Sequence, residues 1–146
     1  METSRDPILD SPTVCNLAVI GLGNVGRALI DLLGERGEQV RAELGLDLRI
    51  TGVMSRSIGM VVDADGLDLA AVAAGQLPVG EPYDAADVGP WLELCGADVL
   101  VELSSVDLAT GRPAIDFLRA ALVRGIHGVT ANKGPVVHAY RELRDP

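Results

Sequence analysis

The chain has 146 residues, 48% apolar and 23% charged, about one domain's length with enough apolar material for a core. Only 3% are aromatic, so that core must be built from Val, Leu, Ile and Ala rather than from stacked rings. The net charge of −9 argues against nucleic acid or an anionic membrane surface as a partner, so any bound anion must be held by local geometry.

In chain order, residues 1–13 (METSRDPILDSPT) read as a polar N-terminal tail and not as a signal peptide. The most apolar stretch, Val14 to Leu33, is interrupted by Asn16, Asn24, Arg27 and Asp31, which argues against a membrane span and for a cytoplasmic protein. Val14, Leu17, Ala18, Val19 and Ile20 predict a strand buried on both faces. The period then changes: Val25, Ala28, Leu29, Leu32 and Leu33 form one helical stripe. Gly34 and Gly37 are expected to end or bend that helix, with ERGEQVRAELGL as a second piece turning Val40 and Leu44 inward.

DLRITGVM predicts the next strand, followed by the polar turn Ser55–Arg56–Ser57. From Ile58 to Pro90 the pattern yields only a short helix in GLDLAAVAAG and a Pro/Gly-rich loop; WLELC then reads as a brief helical lead-in. ADVLVELSS is a strand with a continuous apolar centre. RPAIDFLRAALVRG is a helix with proline near its first turn, Ile115, Leu118 and Leu122 inward and Gly125 as its stop. IHGVTA is a short strand and PVVHAYRELRDP a last proline-started helix. Strand alternating with helix predicts an α/β domain over residues 14–146, a doubly wound, mostly parallel sheet of four strands where a full dinucleotide-binding sheet commonly has about six.

Between the first strand and helix, VIGLGNVG has the G-x-G-x-x-G spacing. Gly21 permits the tight turn, Gly23 lets a pyrophosphate approach the backbone, and Gly26 lets the helix pack on its strand. Amides around Leu22, Asn24 and Val25 then face the phosphates, helped by the helix dipole. NAD sites usually place Asp or Glu at the end of the second strand, on the ribose 2′-hydroxyl. This chain offers Arg56 between Ser55 and Ser57, a guanidinium suited to a 2′-phosphate, which points to NADP and leaves NAD open. The DADGLD turn lacks the later ligands of a calcium loop, and His127 and His138 have no ligand partners at metal spacing, so no metal site is proposed. Cys15 and Cys95 share no CxxC or metal spacing and read as reduced thiols.

Taken together, GLGNVGRAL, LDLRITGVMSRS, DVLVELSS and GVTANKGPVV resemble the N-terminal, Rossmann-like NAD(P)-binding domain of homoserine dehydrogenases over roughly residues 14–143. The resemblance implies an oxidoreductase that moves hydride between NAD(P)H and aspartate-4-semialdehyde or homoserine, on the route to threonine and methionine. It places Ser104 and Ser105 beside the nicotinamide, and Asn132 and Lys133 of the A-N-K motif at the junction of cofactor and substrate. Lys133 is the only lysine among eleven arginines, a compact cation on a flexible stem. The family's acidic pair and catalytic lysine belong to a substrate domain that also carries the dimer contacts. No residue here matches them, so the expectation is a cofactor half truncated before that domain, with no catalytic residue of its own and an exposed apolar edge. A stand-alone nucleotide-binding or sensor module, and the first domain of a related enzyme such as aspartate dehydrogenase, are the alternatives.

Overall fold

The computed structural model describes residues 11–146, so most of the expected N-terminal tail lies outside the described residues. In chain order the elements are β1 (Thr13–Ile20), α1 (Asn24–Leu44), β2 (Leu46–Ser55), β3 (Gly59–Val62), α2 (Leu69–Ala73), α3 (Val88–Leu94), β4 (Val99–Glu102), α4 (Ala114–Leu122), β5 (His127–Thr130) and α5 (Gly134–Arg144). They build one five-stranded sheet in the order β3-β2-β1-β4-β5. β1 pairs in parallel with β2 and β4, and β4 with β5. The fifth strand, β3, was not anticipated: Met60, Val61 and Val62 hairpin back antiparallel on β2, and four residues bounded by glycine and aspartate were too short to signal a strand.

Alternation along the strands sends side chains into two cores. Leu17, Val19, Ile50, Val53 and Val101 meet Ile30 and Leu33 of α1 and Val72 of α2 on one face. Ala18, Ile20, Met54 and Leu100 meet Trp91 and Leu92 of α3 and Phe117, Leu118 and Ala121 of α4 on the other. Ile50 and Val53 share a face despite odd spacing because the β1–β2 register slips: Leu17 sits opposite Ile50 but Ala18 opposite Gly52, leaving Thr51 as a bulge. A Cβ on Gly52 would collide with Cys95 Sγ and the Trp91 ring, so only glycine fits there. Burial pushes the Cys95 thiol up to about 12, and Cys15 is raised for the same reason with Asp98 adding to it.

Two expectations about α1 are corrected. The helix runs unbroken for 21 residues through Gly34 and Gly37 and stops only at Gly45, whose left-handed φ of 66° returns its N–H to the Arg41 carbonyl. Its buried row is Gly26, Ile30 and Leu33; of the stripe read from the sequence Leu33 is buried and Leu29 packs against the core, while Val25 and Leu32 are exposed, and so is Leu44 at 67%. The small Gly26 at the start of the row sets this rotation, because it brings the helix onto the strand's turn. At the other edge of the sheet Val129 of β5 and Val136, Val137 and Tyr140 of α5 are exposed. No helix among the described residues is long and apolar enough to cross a membrane.

Candidate functional site

Strand order reverses at β1: the chain proceeds from β1 to β2 on one side and later returns to β4 on the other. A crevice opens at such a reversal, beyond the carboxyl ends of the strands. Here it is a cleft of about 360 Å³, walled by Gly21, Leu22 and Gly23 in the middle, Ser55, Arg56, Ser57 and Tyr83 on the β2 side, and Leu103, Ser104, Ser105 and Pro113 on the β4 side.

The three glycines of the central turn do different work. Gly21 has φ +97°, and a Cβ there would lie 2.6 Å from the Leu103 carbonyl oxygen, so both conformation and space demand glycine. A Cβ on Gly26 would strike the Gly21 carbonyl oxygen. Gly23 has ordinary φ and nothing within 4 Å of where a Cβ would go, so what it keeps open is the cleft itself. No side chain caps α1 and no acid occupies its first turn, which leaves the amides around Asn24 and Val25 available to an anion.

Arg56 stands at the tip of the β2–β3 hairpin. Ser55 is used to fasten that tip: its hydroxyl accepts the Ile58 N–H at 3.1 Å and lies 3.2 Å from the Ser57 hydroxyl. Among the described residues Arg56 is the only charged one on the cleft wall, and no carboxylate lines it. Tyr83 stands beside it, carried by a loop that folds back onto β3 through Met60 N–H to Glu81 O and Gly80 N–H to Ile58 O bonds of 2.8 and 3.3 Å. Burial raises the Tyr83 phenol above its ordinary value; Arg56 pulls it the other way and Asp84 adds to the rise. Tyr83 was missed from the sequence because it lies in the Pro/Gly-rich stretch without periodicity.

On the β4 side a second unanticipated residue organises the wall. Glu102, the last residue of β4, is fully buried. It accepts from Ser104 N–H at 2.8 Å and Ser104 Oγ at 2.5 Å, from Thr130 Oγ1 at 2.6 Å and from Asn132 Nδ2 at 2.8 Å. Asn132 Nδ2 also donates to the Ser104 carbonyl at 2.8 Å. The signal was available: a lone carboxylate closing an otherwise apolar V-L-V-E strand.

The structure therefore brings Gly21, Leu22, Gly23, Arg56, Ser104 and Ser105 into one cleft, with Gly26, Asn24 and Val25 behind its centre on α1. Asn132 and Lys133 do not line it. Asn132 stands one layer back, with its amide nitrogen on Glu102 and Ser104, and Lys133 is exposed at the N-cap of α5. The glycine after Lys133 has a packing reason: a Cβ on Gly134 would come within 2.9 Å of Gly111 Cα, so the A-N-K turn lies directly against the loop that follows Ser105. His138 bonds the Leu108 carbonyl of the same loop at 3.0 Å.

A glycine-rich turn between a central parallel strand and an uncapped helix, under a cleft at the point of strand reversal, defines a dinucleotide-binding α/β domain. The sequence model of the homoserine dehydrogenase NAD-binding domain matches residues 21–146. The chain belongs to that family. An NAD(+)-dependent homoserine dehydrogenase of Pseudomonas canavaninivorans is 40% identical over 90% of this chain, and one from Pyrococcus horikoshii 30% identical over 88%. Among solved structures, a hyperthermophilic archaeal homoserine dehydrogenase mutant in complex with NADPH superposes with a TM-score of 0.70 at 27% identity, covering 90% of this chain and 40% of that one. The chain spans 39% of the length of each of those two curated relatives.

Proposed function

We propose that this domain holds NADP(H) for a homoserine dehydrogenase, a cytoplasmic enzyme of threonine and methionine synthesis, acting together with a substrate domain. The observation that carries the cofactor choice is the charge of the cleft wall: Arg56 at the hairpin tip and no carboxylate anywhere on the lining. In this reading the amides from Leu22 to Val25 take the pyrophosphate, with Gly23 leaving room for it. Arg56, with Ser57 beside it, takes the adenosine 2′-phosphate by charge-assisted hydrogen bonds. The nicotinamide then lies across β1 on the Ser104–Ser105 side, because the adenosine occupies the β2 side. Lys133, exposed at the start of α5, presents an ammonium near the outer end of that half, where an aspartate-derived substrate with its own carboxylate would be attracted.

When bound, the cofactor supplies the hydride chemistry; the residues of this chain hold and orient it. The domain alone is expected to bind NADPH, read by its fluorescence, without oxidising homoserine in the same tube. Turnover by this chain would overturn the division of labour, and would also set it apart from a plain nucleotide-binding module.

A second reading, NAD as the cofactor, is favoured by the name of the Pseudomonas canavaninivorans relative. Arg56→Asp separates the two. Losing a charge-assisted contact and placing a carboxylate against a phosphate should weaken NADPH binding by roughly tenfold or more, while NADH changes less than about twofold. Equal losses for both nucleotides would assign the site to NAD.

A further inference from the structure

Among the described residues Glu102 has no counter-cation at hydrogen-bond distance, and each of its hydrogen-bond partners is a donor. The assignment of those donors is fixed by their other partners. Asn132 must turn its nitrogen towards Glu102, because the same nitrogen lies 2.8 Å from the Ser104 carbonyl, which can only accept. Thr130 Oγ1 accepts the Asn132 N–H at 3.0 Å, so its own hydrogen is free to go to Glu102 at 2.6 Å. Ser104 Oγ, at 2.5 Å from Glu102 Oε1, gives its only hydrogen to the carboxylate. The same buried oxygen also takes the Ser104 N–H at 2.8 Å and an Asn132 Nδ2 hydrogen at 3.1 Å, and the hydroxyl contact is the shortest of the three. Rotating that hydrogen away therefore gives up the closest charge-assisted bond of a carboxylate without access to water.

We infer that Glu102 is a positioning residue that fixes the hydrogen-bond polarity of the β4 side of the cleft. It withdraws the hydroxyl hydrogen of Ser104, which lines the cleft, so Ser104 faces the ligand as an acceptor only. The ligand group this selects is a hydrogen donor, and on the nicotinamide half of the dinucleotide, the half that lies on this side of the sheet in the reading above, the N–H donor is the carboxamide NH2. The inference rests on the dinucleotide reading above and adds to it the reason for a buried acid at the end of β4. Glu102 reaches the ligand only through Ser104, and the same carboxylate ties the A-N-K turn to the β4 loop.

The test compares NADP+ with 3-acetylpyridine adenine dinucleotide phosphate, in which a methyl group replaces the carboxamide NH2. Calorimetric titration of the full chain also includes 2′,5′-ADP, which occupies the adenosine half alone. The wild type should bind NADP+ about fivefold more tightly than the acetyl analogue, the worth of one hydrogen bond. Ser104→Ala removes the acceptor and should bring the ratio to about one with 2′,5′-ADP binding unchanged. Glu102→Gln puts an NH2 against the donors that the carboxylate had satisfied and should abolish the discrimination in the same way. Because Glu102→Gln also risks the fold, Ser104→Ala decides by itself. A wild-type ratio near one with 2′,5′-ADP still bound, or a ratio that survives Ser104→Ala, overturns the inference while sparing the dinucleotide reading. No binding of any of the three nucleotides removes the reading and the inference together.

Discussion

At the scale of single residues, the glycine turn separates two requirements that the motif spacing runs together. Gly21 is needed by the chain: its φ of +97° and the Leu103 carbonyl 2.6 Å from any Cβ make every other residue strained. Gly23 is not needed by the chain, since an added methyl there touches no protein atom, and in the proposed reading the space is left for the nucleotide. Gly21→Ala should therefore destabilise the domain by about 1–3 kcal/mol or more, from backbone strain and overpacking. Gly23→Ala should leave the unfolding midpoint within about 0.5 kcal/mol of the wild type and weaken NADPH binding, because its methyl stands where the pyrophosphate must approach. Urea unfolding and NADPH titration of both variants check this pair. Full affinity in Gly23→Ala would mean that the nucleotide does not pass over the turn. Lys133 belongs to this scale too. Its position is set by Gly134 against Gly111, so the A-N-K-G string is as much a packing device as a chemical one.

At the scale of elements, α1 shows what a sequence pattern resolves and what it does not. The existence of the helix was legible from its 3.6 periodicity; its length and rotation were not. Glycine lowers helix propensity by about 1 kcal/mol, which made Gly34 and Gly37 look like breaks, yet tertiary packing of Ile30 and Leu33 upstream carries the helix past both. Neither glycine has a neighbour within 4 Å of a prospective Cβ, and neither has positive φ. Gly34→Ala and Gly37→Ala are thus each expected to stabilise the domain by about 0.5–1 kcal/mol, seen as a higher thermal midpoint with unchanged NADPH affinity. A fall in stability would show that the helix needs to flex there. Three of the four parallel strands were legible as runs rich in Val, Leu or Ile bounded by glycine or polar residues, and β5, His-Gly-Val-Thr, by its place between two helices. β3 escaped because four residues carry no period; its ladder is the antiparallel pairing with β2, to which Met60 adds one isolated bridge to Glu81. The centre of the site was legible from spacing alone, since its glycines are contiguous in sequence. Tyr83 was not, because its place depends on a loop folding back over β3; Glu102 was visible as a lone carboxylate closing an apolar strand, but its partners, in a hydrogen-bond set spanning 30 residues, were not.

At the scale of the whole molecule, the charge of −9 and an anionic ligand are reconciled by where the charges lie. Among the described residues the cleft wall carries one charged side chain, Arg56, beside neutral hydroxyls and backbone dipoles, so no acidic side chain lines it. That wall is assembled from the end of β1, the glycine turn, the β2–β3 hairpin, the Tyr83 loop and the loop after β4. A dinucleotide filling it contacts segments from both halves of the sheet, so binding should stabilise the domain as a unit and not one loop of it. At a free NADPH concentration one hundred times its Kd, mass action adds about 2.7 kcal/mol to the folded state. For a domain of this size that corresponds to a rise in thermal midpoint of roughly 8–10 °C. The same concentration of NADPH should raise the midpoint of Arg56→Asp by much less, since its Kd is higher, while NADH should shift wild type and variant alike. Circular dichroism melts with each nucleotide measure this. A single sharpened transition is the expected outcome, and two separated transitions in the presence of NADPH would show that the ligand holds only one side of the cleft.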